Sequence, residues 1–219
     1  PLAVSGANGY LNLVPTNSSL VLGSGGTLAA GLITVQQAHA IDLASAGNAS
    51  VGSSGGVVSL QADHLRLGSN APLNVGSGSV KIFPSTDGLP VSVVSTPNIN
   101  NAALELSGTE LSGIVAHALK LGSGSGQHGS GTLSVNVALT TDASVSDLIL
   151  QAGCVTGINC ASVTQTSAGV ISTPNLVLDA AQGVSLNAAS NQVDHLAADI
   201  GVNGSGVLFA NGKSLHIGV

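Results

Sequence analysis

Large side chains are almost missing from this sequence. It contains no Met and no Trp, one Tyr and two Phe, although 43% of its 219 residues are hydrophobic. A globular core of this size normally includes aromatic and long side chains. Their scarcity argues against an ordinary globular core. It favours a narrow interior filled by stacked Ala, Val, Leu and Ile.

Charge is equally scarce, at 6% of residues with a net charge of −6. The four basic residues, Arg66, Lys81, Lys120 and Lys213, are scattered. No basic patch could neutralise a run of phosphates, so we expect no nucleic-acid binding. No apolar run approaches the ~20 residues of a membrane-spanning helix. Low charge combined with high hydrophobicity also argues against disorder.

Two cysteines are present, Cys154 and Cys160, in Cys-Val-Thr-Gly-Ile-Asn-Cys. The residues between them include Gly157 and Asn159, which suit a small closed loop. We therefore predict a disulfide between the two, which implies an oxidising compartment. Two buried free thiols are the alternative. No second cysteine pair exists to complete a zinc site.

A block near the start of the chain recurs near its end, because residues 33–48 align with residues 176–191. Apolar residues occupy the same four places in both copies: Ile33/Leu176, Val35/Leu178, Ile41/Val184 and Leu43/Leu186. After a short insertion, two further segments align: 56–58 with 206–208, and 65–68 with 215–218. Internal repetition indicates units that each bury an apolar face on a neighbour.

Short segments that alternate apolar and small polar residues are spread along the chain, with Gly, Ser, Asn and Pro between them. The phrase Leu-x-Leu/Ile-Gly occurs four times, as residues 20–23, 65–68, 119–122 and 215–218, with gaps that suggest windings of ~20–25 residues. A β-sandwich would show hairpin dipeptides and no repeat. We therefore predict an all-β fold, a parallel β-helix (solenoid) of about ten coils with short loop excursions. We expect one domain over residues 1–219. The evidence for helix is thin, because the favoured helix formers Glu, Lys, Arg and Met are scarce, and residues 192–198 are the one candidate for a helical turn.

Residues 171–219 resemble the β-strand repeats of large bacterial exoproteins of the filamentous haemagglutinin type, the passengers of two-partner secretion and related autotransporters. Asn191-Gln192-Val193 followed by Leu196-Ala197 is especially similar, and residues 27–68 share the style more weakly. The resemblance implies a right-handed parallel β-helix and secretion to the bacterial cell surface. It also implies a structural role as an adhesin stalk or filament.

The same resemblance implies partners. Contact with the outer membrane would run only through a secretion partner, and host or neighbouring cells would be bound by regions outside this chain. The family's Asn-Pro-Asn motifs are matched only partly, by Thr96-Pro97-Asn98 and Thr173-Pro174-Asn175. We therefore expect the export signal to be absent or to lie outside this chain.

No catalytic constellation stands out. Residues 52–56, Gly-Ser-Ser-Gly-Gly, satisfy the Gly-x-Ser-x-Gly pattern, but that motif needs a strand-to-helix elbow with a histidine and an acid elsewhere. A pectate-lyase-like β-helix enzyme needs clustered acids and bases, often with calcium, and the ten acidic residues here are dispersed. We expect no enzymatic activity and no cofactor. A carbohydrate-active β-helix enzyme is the alternative.

Histidine is the one metal-ligating residue in good supply. Asp63-His64 and Asp194-His195 are the best local pairs, since a carboxylate can orient an imidazole. His64 and His216 fall on outer, variable strand positions, so we interpret the histidines as surface residues and predict no metal site. The full set is His39, His64, His117, His128, His195 and His216.

Both ends of the sequence, residues 1–4 and 215–219, are typical of strands. A terminal coil of a solenoid exposes unpaired backbone groups and an open apolar cross-section. We predict that coil stacking continues beyond the ends, through more of the same polypeptide or through another copy. A self-assembling subunit of an extracellular filament is therefore a second functional hypothesis.

Overall fold

The computed structural model describes residues 10–13, 19–21, 27–29, 32–43, 50–52, 55–68, 73–98, 102–123, 129–153, 160–201 and 206–218. These residues form β-strands and one short helix, α1 (Gly108–Ser112). The first ten strands are β1 (Tyr10–Leu13), β2 (Ser19–Val21), β3 (Thr27–Ala29), β4 (Leu32–Asp42), β5 (Ser50–Gly52), β6 (Val57–Arg66), β7 (Leu73–Asn74), β8 (Ser79–Phe83), β9 (Val91–Val94) and β10 (Leu104–Ser107). The others are β11 (Ala118–Ser123), β12 (Leu133–Val135), β13 (Leu139–Thr140), β14 (Asp147–Ala152), β15 (Val163–Gln165), β16 (Ile171–Ala180), β17 (Gly183–Leu186), β18 (Gln192–Ile200), β19 (Gly206–Phe209) and β20 (His216–Ile217).

Pairing between the described strands is parallel, in three sheets. An eleven-stranded sheet has the order β1-β4-β6-β8-β11-β14-β16-β18-β20, with β2 on β4 and β13 on β16. A six-stranded sheet has the order β10-β9-β12-β15-β17-β19, and a three-stranded sheet the order β3-β5-β7. The predicted all-β class is confirmed, and the parallel sheets are consistent with a parallel β-solenoid.

An inner column of apolar side chains runs through the eleven-stranded sheet in register. Its members are Ile33, Val58, Val80, Leu119, Leu148, Leu176 and Leu196. All seven are at most 5% exposed. Because alternate residues of a strand point to opposite faces, every second position of strands such as β8 and β14 reaches this interior. The core is therefore a stack of aliphatic layers, as the scarcity of large side chains predicts.

The sequence repeat is confirmed where it falls on the buried face of the eleven-stranded sheet. Ile33 and Leu176 both belong to the inner column, five pairing steps apart. Val35 and Leu178 are linked in the same way, through Leu60, Ile82, Leu121 and Leu150. Two other aligned segments lie in different sheets. Ile41 lies on β4 of the eleven-stranded sheet, whereas its counterpart Val184 lies on β17 of the six-stranded sheet. Residues 57–58 and 207–208 are divided between the same two sheets.

The Leu-x-Leu-Gly spacing holds for its first gap. Leu20 pairs with Ile41, and Ile41 pairs with Leu65, so the first two copies of the phrase are two windings apart. The spacings between paired residues, 41 − 20 = 21 and 65 − 41 = 24, agree with the expected ~20–25 residues for this part of the chain.

The helical turn considered for residues 192–198 does not form. This segment is the start of β18, which pairs in parallel with β16 from Ser172↔Gln192 to Ala180↔Ile200. Pairing with β16 favours a strand over a helix, and it buries Val193 completely. The one described helix, α1, lies elsewhere and has only five residues.

The strand order breaks once among the described strands, in residues 84–117, which we call the middle excursion. Here β10 follows β9 in the sequence, yet in space it lies between β6 and β9. β9 pairs with β12 on its other side. After α1 the chain returns to the three-stranded sheet, where Val115 bridges to Asn74 of β7.

The buried carboxylate of Glu110 links the middle excursion to the end of β6 by hydrogen bonds. Ser107 caps α1, and its backbone N–H and hydroxyl both donate to Glu110 at 2.9 Å. The other Glu110 oxygen accepts from the N–H groups of Leu67 (2.9 Å) and Gly68 (3.4 Å), directly after β6. Glu110 thus ties α1 and β10 to the preceding winding, and its burial is tolerated because donors surround it.

Candidate functional site

Several residues singled out in the sequence lie outside the described residues: Ser53 and Ser54 of the Gly-x-Ser-x-Gly pattern, His128, and Cys154. Cys160 is described and lies half-buried ahead of β15. The Cys154–Cys160 disulfide stays a prediction.

Four of the six histidines form two pairs across neighbouring strands. His39 and His64 have ring centroids 5.0 Å apart at an interplanar angle of 82°. His195 and His216 have centroids 5.1 Å apart with nearly parallel rings, at 23°. Each pair joins residues that are one winding apart in the chain. These contacts can be predicted from the sequence only once the winding length and register are known.

Asp63 and Asp194, the carboxylates next to His64 and His195 in the sequence, bond to residues other than these histidines. Asp63 accepts from the backbone N–H of Ser85 (2.9 Å) and Thr86 (2.7 Å) and from the Thr86 hydroxyl. Asp194 forms an ion pair with Lys213 at 2.7 Å. The Asp–His orientation considered from the sequence is therefore not the arrangement found.

A polar outer column occupies the solvent side of the eleven-stranded sheet near its C-terminal strands. Asp147, Asn175, His195 and His216 lie in register on β14, β16, β18 and β20. Asn175 donates from Nδ2 to Asp147 Oδ1 at 2.8 Å. His117 Nε2 lies 3.5 Å from Asp147 Oδ2. The same outer position on earlier strands holds Val57, Ser79 and Ala118, so the continuous polar run begins at β14.

This outer column borders a shallow groove of about 480 Å³. Val177, Ala197, Ile217 and Gly218 form its remaining walls, along with Leu176. The groove therefore combines two imidazoles, a carboxylate and an amide with a small apolar floor. It is the strongest candidate for a binding site among the described residues.

Electrostatics differ between the two histidine pairs. Burial lowers the pKa of His64, the neighbouring His39 lowers it further, and Asp63 partly opposes the change. Beside the groove, the hydrogen bond from Lys213 lowers the pKa of Asp194. Asp194 thus stays ionised and paired next to His195. The groove itself carries the negative charge of Asp147.

In the described ranges, no three His, Cys, Asp or Glu side chains come together in a way that could hold a metal ion. Two basic residues, Lys81 and Lys120, do stack in register on β8 and β11. Burial and Lys81 lower the pKa of Lys120, against the influence of Asp179.

No helix among the described residues has the length and hydropathy needed to cross a bilayer. Comparison with family models, with curated proteins and with solved structures finds no match to this chain. The likeness to filamentous haemagglutinin-type repeats therefore rests on the sequence style alone and stays a prediction.

Proposed function

We propose that this chain is a structural rod: a right-handed parallel β-helix of about ten coils that forms one domain over residues 1–219. It would serve as a stalk segment of an adhesin-like exoprotein, secreted or held at the bacterial cell surface, without enzymatic activity. The observation that supports this proposal is the inner column. From Ile33 to Leu196, each member of the column is paired in register with the next.

The unequal lengths of the windings support a spacer role. The step from Ser79 to its partner Ala118 takes nearly twice as much sequence as the step from Ser172 to its partner Gln192. Both steps advance the stack by one strand spacing of about 4.8 Å. A rod needs only a constant rise per coil, whereas an enzyme of this fold needs a fixed set of side chains on one face.

Removal of one whole coil tests the rod. Deletion of residues 172–191 removes one complete winding and brings Ile171 and Gln192 together in register. We expect the shortened chain to keep its β-sheet circular dichroism and a cooperative unfolding transition. The matched control deletes only residues 172–181, half a winding, and should not fold because the inner column is then misaligned. Equal loss of structure in both deletions would contradict the proposal.

Location is tested separately on the source cells. Protease treatment of intact cells, followed by detection with an antibody against this chain, should remove the signal if the rod is exposed. A signal that survives until the cells are lysed would contradict surface exposure while leaving the rod itself intact.

A filament subunit is the second candidate, and one observation favours it. Val207, Leu208 and Ile217 are 42%, 56% and 74% exposed. Ile217 continues the inner column beyond Leu196, and Val207 pairs with the buried Val184. We propose that a second copy stacks its own strands here. Light scattering after size-exclusion chromatography should show assemblies that Ile217→Asp weakens, and a monomer of 21.1 kDa at high concentration would exclude this candidate.

A further inference from the structure

The His195–His216 pair has the features of a ligand site that the stalk role does not use. Both side chains are exposed and lie side by side on β18 and β20. Neither imidazole has a hydrogen bond to another described residue. Four ring nitrogens are therefore available at one place on the surface.

The backbone holds the two rings at a useful spacing. In-register neighbours on parallel strands are about 4.8 Å apart, and the ring centroids lie 5.1 Å apart. A zinc ion binds imidazole nitrogen at about 2.0–2.1 Å, so two nitrogens in a tetrahedral site lie about 3.4 Å apart. Since both side chains are exposed, small rotations of the rings close this difference without a change in the strands.

The relative orientation of the rings separates this pair from His39–His64. At 23° the ring planes of His195 and His216 are close to parallel. At 82° one ring of the His39–His64 pair faces the edge of the other. His64 is also partly buried, which restricts the rotation that metal binding needs.

The surroundings favour a cation. Asp147 lies in the same outer column, and Asn175 stands between it and His195 with an amide oxygen as a further donor. Asp194 carries a second carboxylate beside the pair, neutralised by Lys213. Imidazole is a preferred ligand of zinc, copper and nickel, whereas calcium and magnesium prefer oxygen.

We propose that His195 and His216 form a two-imidazole site for a divalent transition ion such as Zn²⁺ or Ni²⁺. Water fills the remaining coordination positions, because no third strong ligand joins the pair among the described residues. The site is therefore open to solvent, and the metal ion binds reversibly. Binding requires the neutral form of both histidines. It also links β18 to β20 across one pairing step.

Calorimetric titration of the full chain with ZnCl₂ at about pH 7.5 tests the proposal. We expect His216→Gln to weaken zinc binding about 100-fold or more, because the second ligand no longer acts at high effective concentration. The control His117→Gln removes an exposed histidine next to Asp147 and should leave the affinity unchanged. At about pH 5.5 the wild-type affinity should fall, since protons compete for the imidazoles.

Thermal unfolding gives a second readout. Zinc should raise the unfolding temperature of the wild-type chain and of His117→Gln, but not of His216→Gln, because only a folded chain brings the two rings together. His216 is exposed, so circular dichroism should be unchanged by the substitution. No zinc uptake by the wild-type chain, equal uptake by His216→Gln, or loss of the site in His39→Gln would each overturn the proposal.

Discussion

Two windings of this chain reach the same structural result with very different amounts of sequence. The short winding runs from β16 to β18 and stacks Leu176 on Leu196. The long winding runs from β8 to β11 and stacks Val80 on Leu119, after nearly twice as much sequence. The buried column fixes where each winding must end. The path taken outside that column is free to vary.

Each of the two windings is secured by one buried polar residue. In the short winding Asn191, 0% exposed, accepts from the Ile171 N–H (2.8 Å) and donates to the Ala210 carbonyl (3.0 Å). In the long winding Glu110, 8% exposed, holds the middle excursion against β6. The short winding thus uses a neutral amide that bonds both to the first residue of β16 and to Ala210, directly after β19. The long winding uses a carboxylate that gathers donors from two segments.

The largest expected effect follows from removing that carboxylate. Glu110→Ala leaves the N–H groups of Leu67, Gly68 and Ser107 without their acceptor, and we expect the free energy of unfolding to fall by about 4 kcal/mol. Urea denaturation measures the loss. Glu110→Gln keeps one acceptor oxygen and should lose less. If both variants unfold at the wild-type midpoint, the carboxylate does not hold the middle excursion.

Asn191→Ala should have the next largest effect. Its amide also exchanges hydrogen bonds with Gln165, so the substitution leaves several buried polar groups unsatisfied, at a cost of about 2–3 kcal/mol. Asn187→Ala is the matched control, since Asn187 is exposed, and should change stability by less than about 0.5 kcal/mol. Urea denaturation again measures the free energy of unfolding. A similar decrease in both variants would show that Asn191 does not stabilise the short winding.

The smallest effect concerns pH and β6, the strand that lies next to β10 of the middle excursion. Because the pKa of His64 is lowered in the folded chain, the unfolded chain binds this proton first as the pH falls. Stability should therefore be unaffected by His64 above its ordinary pKa of about 6.5 and should decrease below it. His64→Gln should unfold like the wild type at about pH 7.5 and resist urea better at about pH 5.5. An identical loss in both chains at the lower pH would assign the effect to other groups.

The regular part of this fold follows from the sequence, and the middle excursion does not. The pairs Ile33/Leu176 and Val35/Leu178 revealed the buried columns because aliphatic side chains must meet their counterparts at each winding. No sequence pattern indicates the spatial order of β9 and β10. Val91-Ser-Val-Val and Leu104-Glu-Leu-Ser alternate in the same way, so either strand suits the place next to β6.

The contact between His195 and His216 could not be predicted from the sequence for a related reason. His195 and His216 are distant in the sequence, and their separation becomes a contact only when the winding length is known. The helical turn considered for residues 192–198 obscured it further, since a helix would have turned His195 away from any strand partner. Pairing with β16 overrides that local preference, as tertiary context does for short segments.

The exchanged order of β9 and β10 has a consequence for how the chain folds. A stack in strict sequence order can grow from one end, each new strand adding to the last as the polypeptide emerges during synthesis or export. Here β9 emerges first but must leave the edge of β6 vacant for β10. We therefore expect β10 and β9 to be added to the six-stranded sheet together, once residues 91–107 are all present, whereas β8 can pair with residues 57–61 of β6 before β9 is made.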